Sequence, residues 1–144
     1  MFVQQISVFV ENKPGRMTKI AGILADKHVN LQAMSIADTS DFGILRLIVN
    51  RPQEAFEALK EAGLIVRMTD VIAVPLTHSP GSLAEVMKVL DANGIGIEYM
   101  YAFTAQVSTE ALAILCTDEP ERTLEALKKG NIEVLPREVV YGIA

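Results

Sequence analysis

The segment NKPGRM, residues 12–17, returns as HSPGSL, residues 78–83, at an offset of 66. At the same offset, alternating apolar residues precede each copy and helically spaced apolar residues follow it. Further along, EALK at residues 57–60 returns at residues 125–128, where the offset is 68. The chain therefore contains two copies of one unit, with two residues added between Ile36 and Leu112 in a predicted hairpin turn, where insertions disturb little packing.

Each copy has the periodicity of a β-α-β-β-α-β module. In the first copy, alternation predicts a strand over residues 5–10, and helical spacing predicts a helix from Pro14 to about His28. Strands over residues 30–37 and 43–50, a helix over 53–62 ended by Gly63, and an extended segment over 64–69 follow. The corresponding ranges of the second copy are 71–77, 81–93, 96–102, 110–117, 121–129 and 132–143.

This order predicts an α+β fold of two ferredoxin-like βαββαβ modules. Each is an antiparallel sheet with both helices on one face, and the modules pack together because about 70 residues bury little surface alone. The domains are placed at residues 1–69 and 70–144. Two arrangements remain open for the last strand of the first module. Residues 64–69 run directly into the next strand, or a C-terminal strand over 139–143 crosses over in an exchange.

The composition argues against several partners and compartments. The net charge of −5 and the lack of a Lys/Arg cluster disfavour nucleic acid and an anionic membrane surface. The sequence shows neither a signal peptide nor an apolar run of membrane-spanning length, so we expect a soluble cytoplasmic protein. Cys116 is the single cysteine, which excludes an internal disulfide, and its apolar surroundings predict a buried small residue.

The loop between the first strand and the first helix of each copy is the candidate site. A helix start exposes N–H groups and a partial positive charge, and Gly15 or Gly81 lets a carboxylate approach the backbone closely. The alternative is plain helix initiation, with Ser79 as the N-cap. At the entry to the second strand, Asn30 and Gly96 occupy matching positions, which predicts a shared turn in a left-handed conformation. Asn30 is an additional candidate for a ligand hydrogen bond.

At these residues the chain resembles the ACT domain family. Both copies carry x-Pro-Gly-x-Leu/Met, a helix with spaced aliphatic residues, and then Asn-Leu or Gly-Ile after a small turn. The resemblance covers essentially the whole chain, and it implies a regulatory module that binds an amino acid between paired domains. The partners implied are this ligand, a second copy in a homodimer and an unidentified regulated enzyme, with no cofactor and no metal.

The resemblance also implies the site residues. In both copies they lie in the loop before the first helix and at the start of the second strand: Asn12, Pro14, Gly15, Arg16, Met17, Asn30, Leu31, Gln32, His78, Ser79, Gly81, Ser82, Leu83, Gly96 and Ile97. Gly96 departs from the Asn of the pattern. Either the first copy is therefore the better binder or the two sites differ in ligand.

The residues that an enzyme needs do not come together in this pattern. The two histidines, His28 and His78, fall at opposite ends of helices, Cys116 has no histidine nearby, and no glycine-rich phosphate loop is present. A protein without catalytic activity is therefore predicted. Two alternatives stay open. One is a small ferredoxin-like enzyme acting on acyl phosphates through Arg16 and Asn30, and the other is an oligomerisation module whose loops bind nothing.

Overall fold

The computed structural model describes residues 2–37, 41–77, 79–104 and 110–142. It has the predicted α+β class, with antiparallel strand pairs and helices alternating along the chain. The elements in chain order are β1 (Val3–Glu11), α1 (Arg16–Asp26), β2 (Leu31–Ala37), β3 (Phe42–Val49), α2 (Pro52–Glu61), β4 (Ile65–Leu76), α3 (Ser82–Ala92), β5 (Ile97–Thr104), β6 (Ala111–Thr117), α4 (Pro120–Lys129) and α5 (Arg137–Tyr141).

The chain divides into two compact units. We call Gln4–Thr69, together with the segment that starts at Val140, the N-terminal unit. We call Asp70–Val139, together with the residues up to Val3, the C-terminal unit. Strand β4 contributes to both, because it is continuous from Ile65 to Leu76. Residues 65–69 run into the next strand without a break, as in the first of the two predicted arrangements, and the segment that starts at Val140 also belongs to the N-terminal unit.

The N-terminal unit has the strand order β2-β3-β1-β4 and buries one face of its sheet. Ile6 and Val8 of β1 lie opposite Leu47 and Leu45 of β3, which places their side chains on a common face because strand residues alternate. Helices α1 and α2 cover this face. The buried core consists of Ile6, Val8, Ile20, Leu24, Val29, Leu45, Leu47, Val49, Ala55 and Leu59.

The C-terminal unit repeats this plan with the strand order β4-β6-β5. Its core again combines one sheet face with two helices: Ile72, Val74, Val86, Leu90, Ile95, Leu115, Ala126 and Leu127. Four residues separate β2 from β3 and six separate β5 from β6, so the predicted insertion of two residues in the hairpin is confirmed. Cys116 is buried, as its apolar surroundings predicted.

All four long helices end in the same capping motif. After α1, the N–H of His28 donates to the carbonyl of Ala25 at 3.0 Å, and the N–H of Val29 donates to the carbonyl of Leu24 at 2.9 Å. These two hydrogen bonds define the Schellman motif, in which the residue after the C-cap adopts a left-handed conformation. The residues that adopt it after α1, α2, α3 and α4 are His28, Gly63, Gly94 and Asn131, with φ of 55°, 86°, 66° and 58°.

The sequence prediction for this turn was therefore wrong by two residues. His28 and Gly94 supply the left-handed conformation, whereas Asn30 and Gly96 have no positive φ. The reason is that the helix end itself fixes the left-handed position at the residue after the C-cap Lys27, before the chain reaches the strand.

Replacing His28 by glycine is expected to raise the free energy of unfolding by about 0.5–1 kcal/mol, because glycine adopts φ > 0 without a Cβ penalty. Gly94→Ala at the equivalent position is expected to lower it by about 1 kcal/mol through backbone strain. Urea denaturation of both variants measures these changes. Equal stability of the His28→Gly variant and the parent protein would contradict the assignment of this position as strained.

The end of the chain departs from the predicted strand over residues 132–143. Residues 132–136 belong to no regular strand, although the N–H of Leu135 donates to the carbonyl of Ala73 at 2.9 Å. Residues 137–141 form helix α5. Pro136 explains the change, because it has no N–H for a strand ladder and suits a helix start. The second module is therefore βαββα followed by a short helix instead of a last strand.

Candidate functional site

The Pro-Gly segments form the same tight turn in both units. The N–H of Arg16 donates to the carbonyl of Lys13 at 3.4 Å, and Gly15 has φ 89° and ψ −13°. In the other unit, the N–H of Ser82 donates to the carbonyl of Ser79 at 3.4 Å, and Gly81 has φ 94° and ψ −7°. These angles are those of the third residue of a type II turn, whose second residue favours proline. The Pro-Gly pair therefore builds this turn directly.

The helices begin after the turn, which corrects two expectations. Gly15 and Gly81 are the N-caps, so Pro14 precedes helix α1 and does not lie in its first turn. Ser79 is not an N-cap; it is the first residue of the turn. The left-handed glycine is the cause, because its φ lies outside the helical region and delays the helix start.

Open space surrounds both glycines. A Cβ added at Gly15 or at Gly81 would meet no atom within 4 Å. Packing therefore does not require glycine there, whereas the left-handed backbone does. The start of a helix also leaves its first N–H groups without acceptors inside the helix. At each turn the glycine itself therefore places no side chain in front of the helix start.

One pocket lies between the turn and the β2–β3 hairpin. This pocket, which we call the Met17 pocket, has a volume of about 90 Å³ and is lined by Val10, Asn12, Met17, Ile36, Gly43 and Leu45. It brings together two of the predicted residues, Asn12 and Met17. The backbone N–H of Asn12 donates to the carbonyl of Asp41 at 3.0 Å and so joins the loop to the hairpin.

A second pocket holds Arg16. This pocket, the Arg16 pocket, has a volume of about 160 Å³. Its charged residues are Glu11, Arg16 and Lys19. Its apolar lining comes from Phe9, Val10, Ile20, Phe42, Leu64 and Ile65. The structure therefore divides the predicted loop residues between two pockets, since Arg16 does not line the Met17 pocket.

Glu11 is the anionic group beside this turn. Its Oε2 lies 3.1 Å from Nζ of Lys13 and 3.6 Å from a guanidinium nitrogen of Arg16. The hydrogen bond and charge of Lys13, and then the charge of Arg16, hold the pKa of Glu11 below its ordinary value of 4.5. Glu11 is thus ionised at neutral pH and offsets part of the positive charge around the turn.

The three predicted residues at the entry to β2 have different environments. The N–H of Asn30 donates to Oδ1 of Asn50 at 2.9 Å, and the Asn30 side chain is exposed. Leu31 is exposed on the last strand at one side of this unit's sheet. The side-chain amide of Gln32 donates to the carbonyl of Tyr141 at 3.0 Å, so it serves the fold of the N-terminal unit.

The second copy presents a different set of groups. Ser79, Gly81 and Ser82 form its turn, and Oγ of Ser82 donates to the carbonyl of Thr77 at 3.2 Å. Leu83 is exposed, as is Gly96. Ile97 lines a separate groove of about 440 Å³ along α3 that does not include the turn. His78 lies outside the described residues.

Most of the residues that line these pockets were not predicted from the sequence, which named only Asn12, Met17 and Arg16 among them. Ile36 and Gly43 line the Met17 pocket, and Lys19 lines the Arg16 pocket one helical turn after Arg16. The signal for Lys19 was available, since residues three apart share a helix face. Gly43 lies opposite Val10 in the β1–β3 pair, a register that the sequence alone did not provide.

Two further features are absent from the described residues. No group of three or more His, Cys, Asp or Glu side chains is arranged to hold a metal ion in that part of the chain. In the same residues, every helix is too short or too polar to cross a membrane.

Comparison with known proteins places these features in a wider group. A protein family described as an ACT domain pair matches residues 1–141. The acetolactate synthase small subunit of Mycolicibacterium smegmatis is 28% identical over 131 residues, which cover 85% of this chain and 76% of that protein. The corresponding subunit of Bacillus subtilis is 23% identical over 146 residues, covering 92% and 84%.

Solved structures share the fold. Protein BT0572 from Bacteroides thetaiotaomicron superimposes with a TM-score of 0.91 at 38% identity, covering 98% of this chain and 96% of that one. The ligand-free regulatory subunit of aspartate kinase from Thermus thermophilus gives a TM-score of 0.61 at 20% identity, covering 88% and 91%. At that identity, the second likeness concerns the fold alone.

Proposed function

The chain belongs to the ACT domain pair family, and from this premise we propose that it is a non-catalytic regulatory protein that binds an amino acid. The single observation that carries the proposal is the open turn at Gly15 beside the Met17 pocket. The turn offers N–H groups and a partial positive charge to the carboxylate of the ligand. Met17 and Leu45 provide apolar surface for its side chain.

The ligand site is completed, in this proposal, by a second copy of the chain. The Met17 pocket alone, at about 90 Å³, is smaller than typical small-molecule sites, so a single copy of the chain does not enclose an amino acid there. Its wall includes Ile36 of β2, which is 53% exposed, and Met34 on the same strand is 49% exposed. Because β2 is the last strand at this side of the unit's sheet, a homodimer formed there covers apolar surface and encloses the pocket.

The regulated partner is proposed to be a separate catalytic chain. Two relatives are named as small subunits of acetolactate synthase, and each is matched over most of its length. In this proposal the ligand binds more tightly to one conformation of the chain than to another and so shifts the equilibrium between them. The catalytic chain responds because it also binds the two conformations with different affinity.

Thermal unfolding in the presence of each common amino acid tests this function. We expect one amino acid, or a few related ones, to raise the free energy of unfolding by about 2.7 kcal/mol at 100 times the dissociation constant. Light scattering after size exclusion measures whether the same protein is a dimer. If no amino acid changes the unfolding temperature of a dimeric protein, an oligomerisation module remains. Acyl phosphate hydrolysis in a colorimetric assay would instead favour the enzyme.

A further inference from the structure

The Arg16 pocket combines exposed apolar side chains with positive charge. Phe9, Phe42 and Ile65 line it and are 49%, 53% and 69% exposed. Three of the seven large hydrophobic side chains found exposed in the described residues thus line one pocket of about 160 Å³. Such clustering on a surface is typical of a binding site, whereas single exposed hydrophobic residues are common.

The charges around this pocket favour an anion. Among the charged residues that line it, Arg16 and Lys19 are positive and Glu11 is negative, which leaves +1 in a chain with a net charge of −5, and Lys13 adds a positive charge beside Glu11. Arg16 and Lys19 line the pocket itself. A guanidinium and an ammonium beside an apolar surface suit a molecule with a carboxylate and a short hydrocarbon chain.

The second copy shows that these side chains are not needed to build the loop. Ser82 replaces Arg16 and Glu85 replaces Lys19. The turn is nevertheless the same, because its hydrogen bonds have equal lengths in both units: 3.4 Å to the first residue of the turn and 3.0 Å to the glycine carbonyl. The aromatic residues are also absent from the second copy, where Pro75 and Glu110 replace Phe9 and Phe42.

We propose that the Arg16 pocket is a further binding site, present in the first copy, for a small organic anion with a short aliphatic chain. Arg16 and Lys19 bind the carboxylate, and the apolar lining contacts the chain. Its volume of about 160 Å³ suits a small ligand with a chain of a few carbon atoms. Val10 lines both pockets, but Asn12 and Met17 line only the Met17 pocket, and Arg16 and Lys19 line only the Arg16 pocket, so each pocket has polar residues of its own.

Titration of the isotopically labelled full chain with butanoate, followed by amide NMR, tests the proposal. Saturable shifts are expected at Glu11, Arg16 and Leu64, with a dissociation constant in the millimolar range because the ligand is small. The amides of Gly81 and Ser82 in the second turn are expected not to shift. Butan-1-ol and butylammonium, which lack the negative charge, are expected to bind at least tenfold more weakly.

Matched variants identify the groups responsible. Arg16→Ser and Lys19→Glu introduce the residues of the second copy, so the turn is expected to persist, and each is expected to weaken butanoate binding about tenfold or more. Lys27→Ser removes an exposed charge outside the pocket and is expected to leave binding unchanged. The proposal is overturned if butanoate fails to saturate these amides, if butylammonium binds equally well, or if both pocket variants retain the parent affinity.

Discussion

Replacing Tyr141 by alanine is expected to lower the free energy of unfolding of the N-terminal unit by about 3–5 kcal/mol, the usual cost of removing a buried aromatic side chain. Tyr141 is 5% exposed, although it lies three residues from the end of the chain. Its hydroxyl oxygen accepts the N–H of Gln4 at 2.7 Å, and its carbonyl accepts the amide of Gln32 at 3.0 Å. Tyr141 thus belongs to the N-terminal unit and hydrogen-bonds to its first residue, Gln4.

Two measurements separate this role from a general loss of stability. Tyr141→Phe keeps the ring and removes the hydrogen bond to Gln4, so it is expected to cost about 1 kcal/mol. Hydrogen exchange of the Tyr141→Ala variant is expected to show faster opening of β1 and β2. A loss below about 1 kcal/mol in Tyr141→Ala would mean that the C-terminal segment contributes little to the fold of the N-terminal unit.

Replacing Gly15 by asparagine is expected to weaken amino-acid binding by tenfold or more while leaving the fold intact. Asparagine tolerates the left-handed conformation better than other residues with a side chain, and its Cβ would meet no protein atom within 4 Å. The added side chain instead fills the space through which the proposed ligand approaches the helix start. Calorimetric titration with the amino acid found in the screen measures the change.

Gly81→Asn is the matched control for that variant. Gly81 has nearly the same φ and equally open surroundings, so the structural cost is expected to be the same in both units. If the ligand binds in the first copy, affinity falls in Gly15→Asn and not in Gly81→Asn. Equal affinity of both variants and the parent protein would exclude the two turns as the ligand site.

The prediction from sequence succeeded where the signal is local. The alternation around Ile6 and Val8 and the helical spacing of Ile20 and Leu24 identified which residues enter the core. Periodicity reports this directly, since side chains alternate along strands and recur every 3.6 residues along helices. The Pro14-Gly15 segment was found because it recurs at residues 80–81, but it was predicted to begin the helix, whereas the left-handed glycine makes it a turn before the helix.

Prediction from the sequence failed where contacts between distant segments determine the structure. The short helix α5 places Tyr141 against Gln4 and Gln32, which are remote in sequence. The absence of the predicted last strand, in contrast, has a local cause in Pro136, which has no N–H for a strand ladder. The two pockets were also beyond the sequence. Asn12 and Arg16 are only four residues apart, yet they line different pockets, because Ile36 and Gly43 form the wall of one and the start of β4 contributes to the other.

The order of residues alone determined the duplication, the types of most elements and the position of the two Pro-Gly loops, because each is read from residues that are near neighbours along the chain. Only the tertiary structure decided how the loop residues are shared between cavities and which segment completes the N-terminal unit. Those outcomes depend on strand register and on contacts across more than a hundred residues, such as that between Gln4 and Tyr141. No local pattern records them, since the same periodicity is compatible with several long-range pairings.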